Sequence, residues 1–191
     1  MMGVAGPTVA RATMNVHRAR DVGLVQGGTL PECVTAYATL GQLNAERSNA
    51  VLVLHGYTTG PSMLDPGSNA AEGSWSGLVG PGRAIDTDRF FVICPNMLGS
   101  SYGSTGPGSI DPRSGRPYGL SFPRITLDDV VDAQARLLDA LGIDRVEAVI
   151  GPSLGAMQAF AWGTRYPERV ARVVAAVGAP YRPDGVVSKK W

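Results

Sequence analysis

Short, wholly apolar runs alternate along this chain with stretches whose apolar residues recur at helical spacing. Val51-Leu52-Val53-Leu54 ends abruptly at His55-Gly56, and Phe90-Phe91-Val92-Ile93-Cys94 ends likewise at Pro95. Runs this short and this apolar predict strands buried on both faces of a sheet. Upstream, Val34, Ala36 and Ala38 alternate with Thr35, Tyr37 and Thr39 between Cys33 and Leu40. That period of two predicts an early strand entered near the turn-forming pair Gly27-Gly28, and its mixed composition suggests sheet-edge material. Leu127, Val130, Val131, Gln134, Leu137, Leu138 and Leu141 follow a helical period. Thr126 and Asp129 form a variant capping box in front of them, and Gly142 stops the helix behind. A strand over Val146–Ile150, a turn over Gly151–Gly155, a helix over Leu154–Tyr166 and a strand over Val170–Val177 complete the pattern. Strands alternating with helices predict an α/β fold: a mainly parallel sheet, covered on both faces and joined by right-handed crossovers. Residues 1–20 show no periodicity and are expected to form a loose arm. The segment from Pro95 to Pro123 is dominated by Gly, Ser and Pro, a long loop of the kind that compact domains keep for function.

Composition narrows the class. With 191 residues, 44% of them hydrophobic and 17% charged, the chain suffices for one domain with a sizeable core. Seventeen basic residues face sixteen acidic ones, with no Lys/Arg-rich run, which argues against nucleic acid or an anionic membrane surface as a partner. No run of eighteen apolar residues occurs, and the first thirty residues lack a continuous apolar core of the signal-peptide kind. The expectation is a cytoplasmic protein. The two cysteines, Cys33 and Cys94, have neither the density of a disulfide scaffold nor the spacing of a zinc site, so no metal is expected and both read as buried free thiols.

The residues with the clearest chemistry are Gly151-Pro152-Ser153-Leu154-Gly155, a G-x-S-x-G sequence between an apolar strand and a helix. A serine thrust out at so sharp a strand-to-helix turn needs small residues two positions to either side, because a Cβ there would strike the folded-back backbone. Gly151 and Gly155 meet that need. The turn also aims the start of the following helix at the serine, so the Leu154 amide is a candidate oxyanion donor. A second donor is expected after the Val51–Leu54 strand, from the amide of Tyr57, with His55 in a structural role. The competing reading is a chance match in a chain with 25 glycines, which the strand and helix context opposes. Cys94 also ends a strand, but it meets Pro95 rather than a helix and has no evident activating base.

Beyond the pentapeptide, the chain resembles the homoserine O-acetyltransferase family of α/β-hydrolase-fold acyltransferases. The resemblance is carried by Gly80-Pro81-Gly82, Asp86 to Cys94, Asn96 to Gly99, Gly103 to Pro107, Pro117-Tyr118-Gly119, Phe122-Pro123, Gly151 to Gln158, Trp162 and Tyr166-Pro167. It runs from about Leu30 to Val177. It implies an α/β-hydrolase fold in which residues 21–191 form the N-terminal part of a single domain. It also implies a double displacement, in which Ser153 takes an acyl group from acyl-CoA, acetyl-CoA foremost, and passes it to the hydroxyl of homoserine or a similar amino acid. Acyl-CoA would then be a substrate, with no bound cofactor, and complete family members would be homodimers. Pro152, Leu154 and Ala156 stand where the family elbow G-G-S-M-G-G-M-Q has Gly, Met and Gly. The loop His55 to Met63 departs from the family's A-L-T-G-containing stretch. The acceptor therefore stays open between homoserine, another amino-acid hydroxyl and water.

A serine nucleophile in this fold is followed in the chain first by an Asp or Glu and then by a histidine. The only histidines, His17 and His55, precede Ser153, and Glu168 and Asp184 are the only acids in the 38 residues that follow it. The triad acid and histidine are thus expected outside this chain, together with the later strands and the helical lid. On that reading the chain alone is inactive, either as part of an acyltransferase, as part of a serine esterase of the same fold, or as a catalytically inactive remnant.

Overall fold

A computed structural model describes residues 11–68 and 73–180. In chain order its strands are β1 (Thr13–Gly23), β2 (Thr29–Leu40), β3 (Ala50–Val53), β4 (Val79–Gly80), β5 (Ile85–Asp86), β6 (Phe91–Pro95), β7 (Ile110–Asp111), β8 (Arg116–Pro117), β9 (Ala148–Pro152) and β10 (Val173–Ala176). Two α-helices, α1 (Leu127–Ala140) and α2 (Leu154–Arg165), flank β9 in sequence. Six strands form one sheet in the order β1-β2-β6-β3-β9-β10, antiparallel across β1, β2 and β6 and parallel from β6 to β10.

The four residues of β3 are all buried because the strand presents apolar side chains to both layers. Leu52, with Leu54, Ile93 and Val149, packs against Val131, Leu137 and Leu138 of α1 and Ala159 and Trp162 of α2. Val51 and Val53, with Val92 and Cys94, pack on the other side against Met63, Leu64, Val79 and Ile85. Each such aliphatic side chain withdrawn from water contributes roughly 1.5–3 kcal/mol, and this two-sided burial fixes the ends of β3 and β9 beside one another. From β3 the chain goes to β6 on one side and then returns to β9 on the other. That reversal makes the carboxyl ends of β3 and β9 the place where an open α/β sheet leaves a crevice.

Helix α1 begins as its sequence predicts. The Asp129 amide donates to Thr126 Oγ1 (3.3 Å), and the Thr126 amide donates to Asp129 Oδ2 (2.6 Å). The other oxygen of Asp129 accepts from the amide of Val25 (2.7 Å), tying the β1–β2 turn to the helix. Gly142, at φ +66°, follows the C-cap Leu141.

Four expectations need correction. The loose arm over residues 1–20 gives way, from Thr13 on, to β1, which pairs with β2 over nearly its whole length; residues 1–10 lie outside the described residues. β1 escapes a hydrophobicity reading because its side chains are mostly exposed, Met14 and Val16 included, and main-chain hydrogen bonds hold it. β2 is not an edge strand: it starts at Thr29 and lies between β1 and β6. The strand expected at Val146 begins at Ala148 and runs to Pro152, while Val146 makes an isolated bridge to Val170 and β10 starts only at Val173. The Gly/Ser/Pro segment, expected as one long loop, carries regular structure. It contains the β7–β8 hairpin and is fastened to β2 through Thr105 Oγ1, which accepts from the Val34 amide (2.8 Å), and Ser104 Oγ, which accepts from the Ala36 amide (3.1 Å).

Candidate active site

Ser153 occupies the turn between β9 and α2 with φ +52° and ψ −121°, a conformation that a residue with a Cβ adopts only where its surroundings force it. The surroundings are backbone on backbone. A Cβ on Gly151 would lie 2.5 Å from the carbonyl of Gly155 and 2.8 Å from the carbonyl oxygen of Leu54, and one on Gly155 would overlap that same Leu54 oxygen. Both glycines are therefore required by contact, and the elbow lies directly on the end of the strand that leads into the His55-Gly56-Tyr57 loop. The Ser153 amide donates to Ala176 O (3.0 Å), and its carbonyl accepts from the amides of Ala156 (3.0 Å) and Met157 (3.3 Å). The side chain of Ser153 is exposed and makes no capping bond to its own helix.

Beside this turn lies a cleft of about 620 Å³, lined by Tyr57, Leu98, Tyr102, Leu127, Leu154 and Met157 among others. Tyr57 and Leu154 thus meet in one cleft, Tyr57 from the loop after β3 and Leu154 as the first residue of α2. The ring of Tyr57 is 78% exposed, so it is the main chain of this residue that the fold fixes. Neither amide is among the backbone hydrogen bonds made by the described residues, which leaves both free to donate.

His55 is fully buried beneath the loop. Its Nε2 accepts from the Met97 amide (3.3 Å), so the ring proton sits on Nδ1 and is donated to Gly56 O (2.8 Å). Burial lowers its pKa below the ordinary 6.5, which keeps the ring neutral. With both nitrogens engaged by main chain, His55 pins the loop and cannot act as a base for Ser153. His17 lies on β1, four strands from β9, a separation of roughly 20 Å. Glu168 follows the C-terminal end of the twelve-residue α2, roughly 18 Å from its start; Asp184 lies outside the described residues. Among the described residues, then, no histidine and acid are assembled beside Ser153. The two thiols are inert. Burial pushes Cys33 up to about 11 and Cys94 further still, so neither forms a thiolate near neutral pH.

One buried feature is absent from the sequence reading of the site. Trp162 Nε1 donates to Gln134 Oε1 (2.8 Å), Gln134 Nε2 donates to Gln158 Oε1 (2.7 Å), and Gln158 Nε2 donates to the carbonyl of His55 (3.2 Å). Gln134 fell within the apolar stripe of α1 by spacing alone. A glutamine on a core-facing stripe was the available signal, since buried amides are almost always engaged.

A family model described as the alpha/beta hydrolase fold matches residues 49–186. The chain belongs to the alpha/beta hydrolase fold family. It is 54% identical over 159 residues to a homoserine O-succinyltransferase of Methylibium petroleiphilum, covering 82% of this chain and 41% of that protein. Among solved structures it is similar to esterase E22 (37% identity, TM-score 0.80, 88% of this chain and 48% of that one). It is equally similar in shape to a homoserine O-acetyltransferase from Bacillus anthracis (35% identity, TM-score 0.80, 91% and 48%). The chain spans less than half the length of these proteins. The resemblance to homoserine O-acyltransferases read from the motifs therefore extends across most of this chain and over the N-terminal part of its relatives.

Proposed function

We propose that this chain carries the nucleophile and oxyanion donors of a serine acyltransferase that moves an acyl group from acyl-CoA to the hydroxyl of homoserine or a closely similar amino acid. The observation that carries the reading is Ser153 itself. Its φ of +52°, with Gly151 and Gly155 pressed against the Leu54 carbonyl, turns an exposed serine out beside the cleft that Tyr57 and Leu154 line. In the forward half-reaction Ser153 Oγ attacks the thioester carbonyl, and its proton passes to a histidine supplied from outside the described residues. The negative charge gathers on the carbonyl oxygen, where the Tyr57 and Leu154 amides stabilise it, and the C–S bond then breaks as the histidine passes its proton to the departing sulfur, releasing the coenzyme A thiol. In the second half-reaction the acceptor hydroxyl gives its proton to the histidine and attacks the seryl ester, the charge gathers in the same oxyanion site, and the bond to Ser153 Oγ breaks as the proton returns to that oxygen. No bound cofactor enters either step. Losing one well-placed oxyanion donor costs about 10²–10³ in rate, so the two amides carry much of the catalysis that this chain supplies.

A serine esterase is the second reading, favoured by the likeness to esterase E22 at 37% identity and by the open cleft beside an exposed serine. The two differ only in what attacks the acyl-enzyme. Incubation of the full-length protein with acetyl-CoA or succinyl-CoA, with and without homoserine, separates them by mass spectrometry. An O-acylhomoserine that forms only with both substrates supports the transferase, whereas free acid released at the same rate without homoserine supports the esterase. Ser153→Ala is expected to lower either activity by at least about 10⁴-fold, and an unchanged rate would remove Ser153 as the nucleophile. Residues 1–191 expressed alone are expected to turn over negligibly, because neither histidine of the chain reaches Ser153.

A further inference from the structure

The two oxyanion donors come from different elements, and an oxyanion site works only when its donors keep a fixed separation to within a few tenths of an ångström. Leu154 is held by α2. The Tyr57 amide is on a loop, two residues beyond a carbonyl, that of His55, which accepts a hydrogen bond from Gln158 (3.2 Å). Gln158 stands four residues after Leu154, one turn further along the same helix. One element therefore bears the first donor and also holds the peptide that leads to the second.

The direction of this hold is not free to vary. The indole of Trp162 can only donate, so Gln134 must turn its oxygen toward Trp162 and its NH2 toward Gln158. Gln158 must then turn its oxygen toward Gln134 and its NH2 toward the His55 carbonyl. Trp162 and Gln158 are fully buried and Gln134 is 1% exposed, so water offers no alternative partner along the relay. A reversed Gln158 would set its oxygen against the His55 oxygen and push the loop away from α2.

We infer that Gln158 is the positioning residue of the oxyanion site, oriented by Trp162 through Gln134 so that its amide holds the Tyr57-bearing loop at a fixed distance from the Leu154 amide. The inference rests on the serine acyl-transfer reading above and adds to it a means by which the site is set. Two substitutions test it in the full-length protein, with p-nitrophenyl acetate as the acylating probe and rates expressed per titrated serine. Gln158→Leu is expected to lower the acylation rate by about 10- to 100-fold with KM little changed. Gln134→Glu keeps the size of the side chain but makes the relay depend on protonation. Ionised, the introduced carboxylate only accepts and turns Gln158 around; protonated, the same group donates to Gln158 and restores the native direction. The rate of this variant relative to the unsubstituted protein at each pH should therefore be low at alkaline pH and recover as pH falls, and the ratio cancels every titration that the two proteins share. A Gln158→Leu protein acylated within about twofold of normal, or a Gln134→Glu ratio that is flat with pH, overturns the inference. Acylation that survives Ser153→Ala would instead defeat the underlying serine reading, so the two failures are told apart.

Discussion

Helices α1 and α2 are joined by two polar clusters of opposite character. Deep between them runs the neutral relay from Trp162 through Gln134 and Gln158 to His55 O, with every member nearly or wholly inaccessible to water. At the rim, Arg165 grips Asp132 through Nε and Nη2, with Tyr166 Oη donating to the same carboxylate (2.7 Å) and Asp128 3.6 Å from Arg165. The clusters even touch, since the rings of Trp162 and Tyr166 lie 5.1 Å apart. The charged cluster has the stronger bonds and the smaller consequence. Its charges gain little over their hydration, whereas each amide of the relay, once deprived of its partner, has no water to replace it. The strength of an interaction in isolation is therefore a poor guide to what its loss costs, and burial is the better one.

The largest effect is expected from cutting the relay at its middle. Gln158→Leu orphans both the NH2 of Gln134 and the carbonyl of His55, and two unsatisfied buried groups are expected to lower stability by about 2–4 kcal/mol. Urea unfolding of the variant and the unsubstituted protein would show it as a shift in midpoint at constant slope. A loss below about 1 kcal/mol would mean that the buried bonds are no more important than the exposed ones.

The relay was hidden from the sequence for the same reason that it matters. The apolar runs of β3 and β6, the Thr126–Asp129 cap and the Gly151–Gly155 elbow are legible because each rests on a local rule: two-sided burial, reciprocal capping, or a turn in which a Cβ does not fit. The relay joins Gln134, Gln158, Trp162 and the main chain at His55, residues brought together only by the docking of α1, α2 and the loop after β3. Nor does any local rule reveal β1, whose side chains are largely exposed and which exists because β2 offers it a ladder of main-chain partners. The second half of a triad is illegible for a plainer reason, since no histidine follows Ser153.

A smaller effect sharpens the same contrast through pH. Burial lowers the pKa of His55 below 6.5, so between 6.5 and its folded value the unfolded chain takes up a proton that the folded one refuses. Stability from the neutral ring is fully present above 6.5 and falls as pH drops below it, by up to about 1.4 kcal/mol per pH unit. His17, also lowered by burial, adds a parallel contribution, so the measurement belongs in a His17→Gln background. Thermal unfolding between pH 6.5 and 5.5, above the usual carboxylate range, should show a falling Tm, and His55→Gln should flatten it. An equal slope in the two proteins would mean that the ring takes up its proton while still folded.

The smallest effect is expected where the bonds look strongest. Asp132→Asn keeps a hydrogen-bonding side chain between Arg165 and Tyr166 but removes the charge, and the Arg165 guanidinium can turn to water or toward Asp128. A partly exposed pair of this kind contributes about 0–1 kcal/mol. The loss should shrink further as salt is raised from about 0.05 to about 0.5 M, because the Debye length falls to a few ångström. The cost of Gln158→Leu, by contrast, should hold steady over the same salt range, since no net charge is involved and no ion reaches the relay. Measured side by side, the two salt profiles separate charge from burial within a single helix pair. A loss from Asp132→Asn that exceeds about 2 kcal/mol and ignores salt would show that the rim, through the Trp162–Tyr166 contact, is as much a part of the core as the relay beneath it.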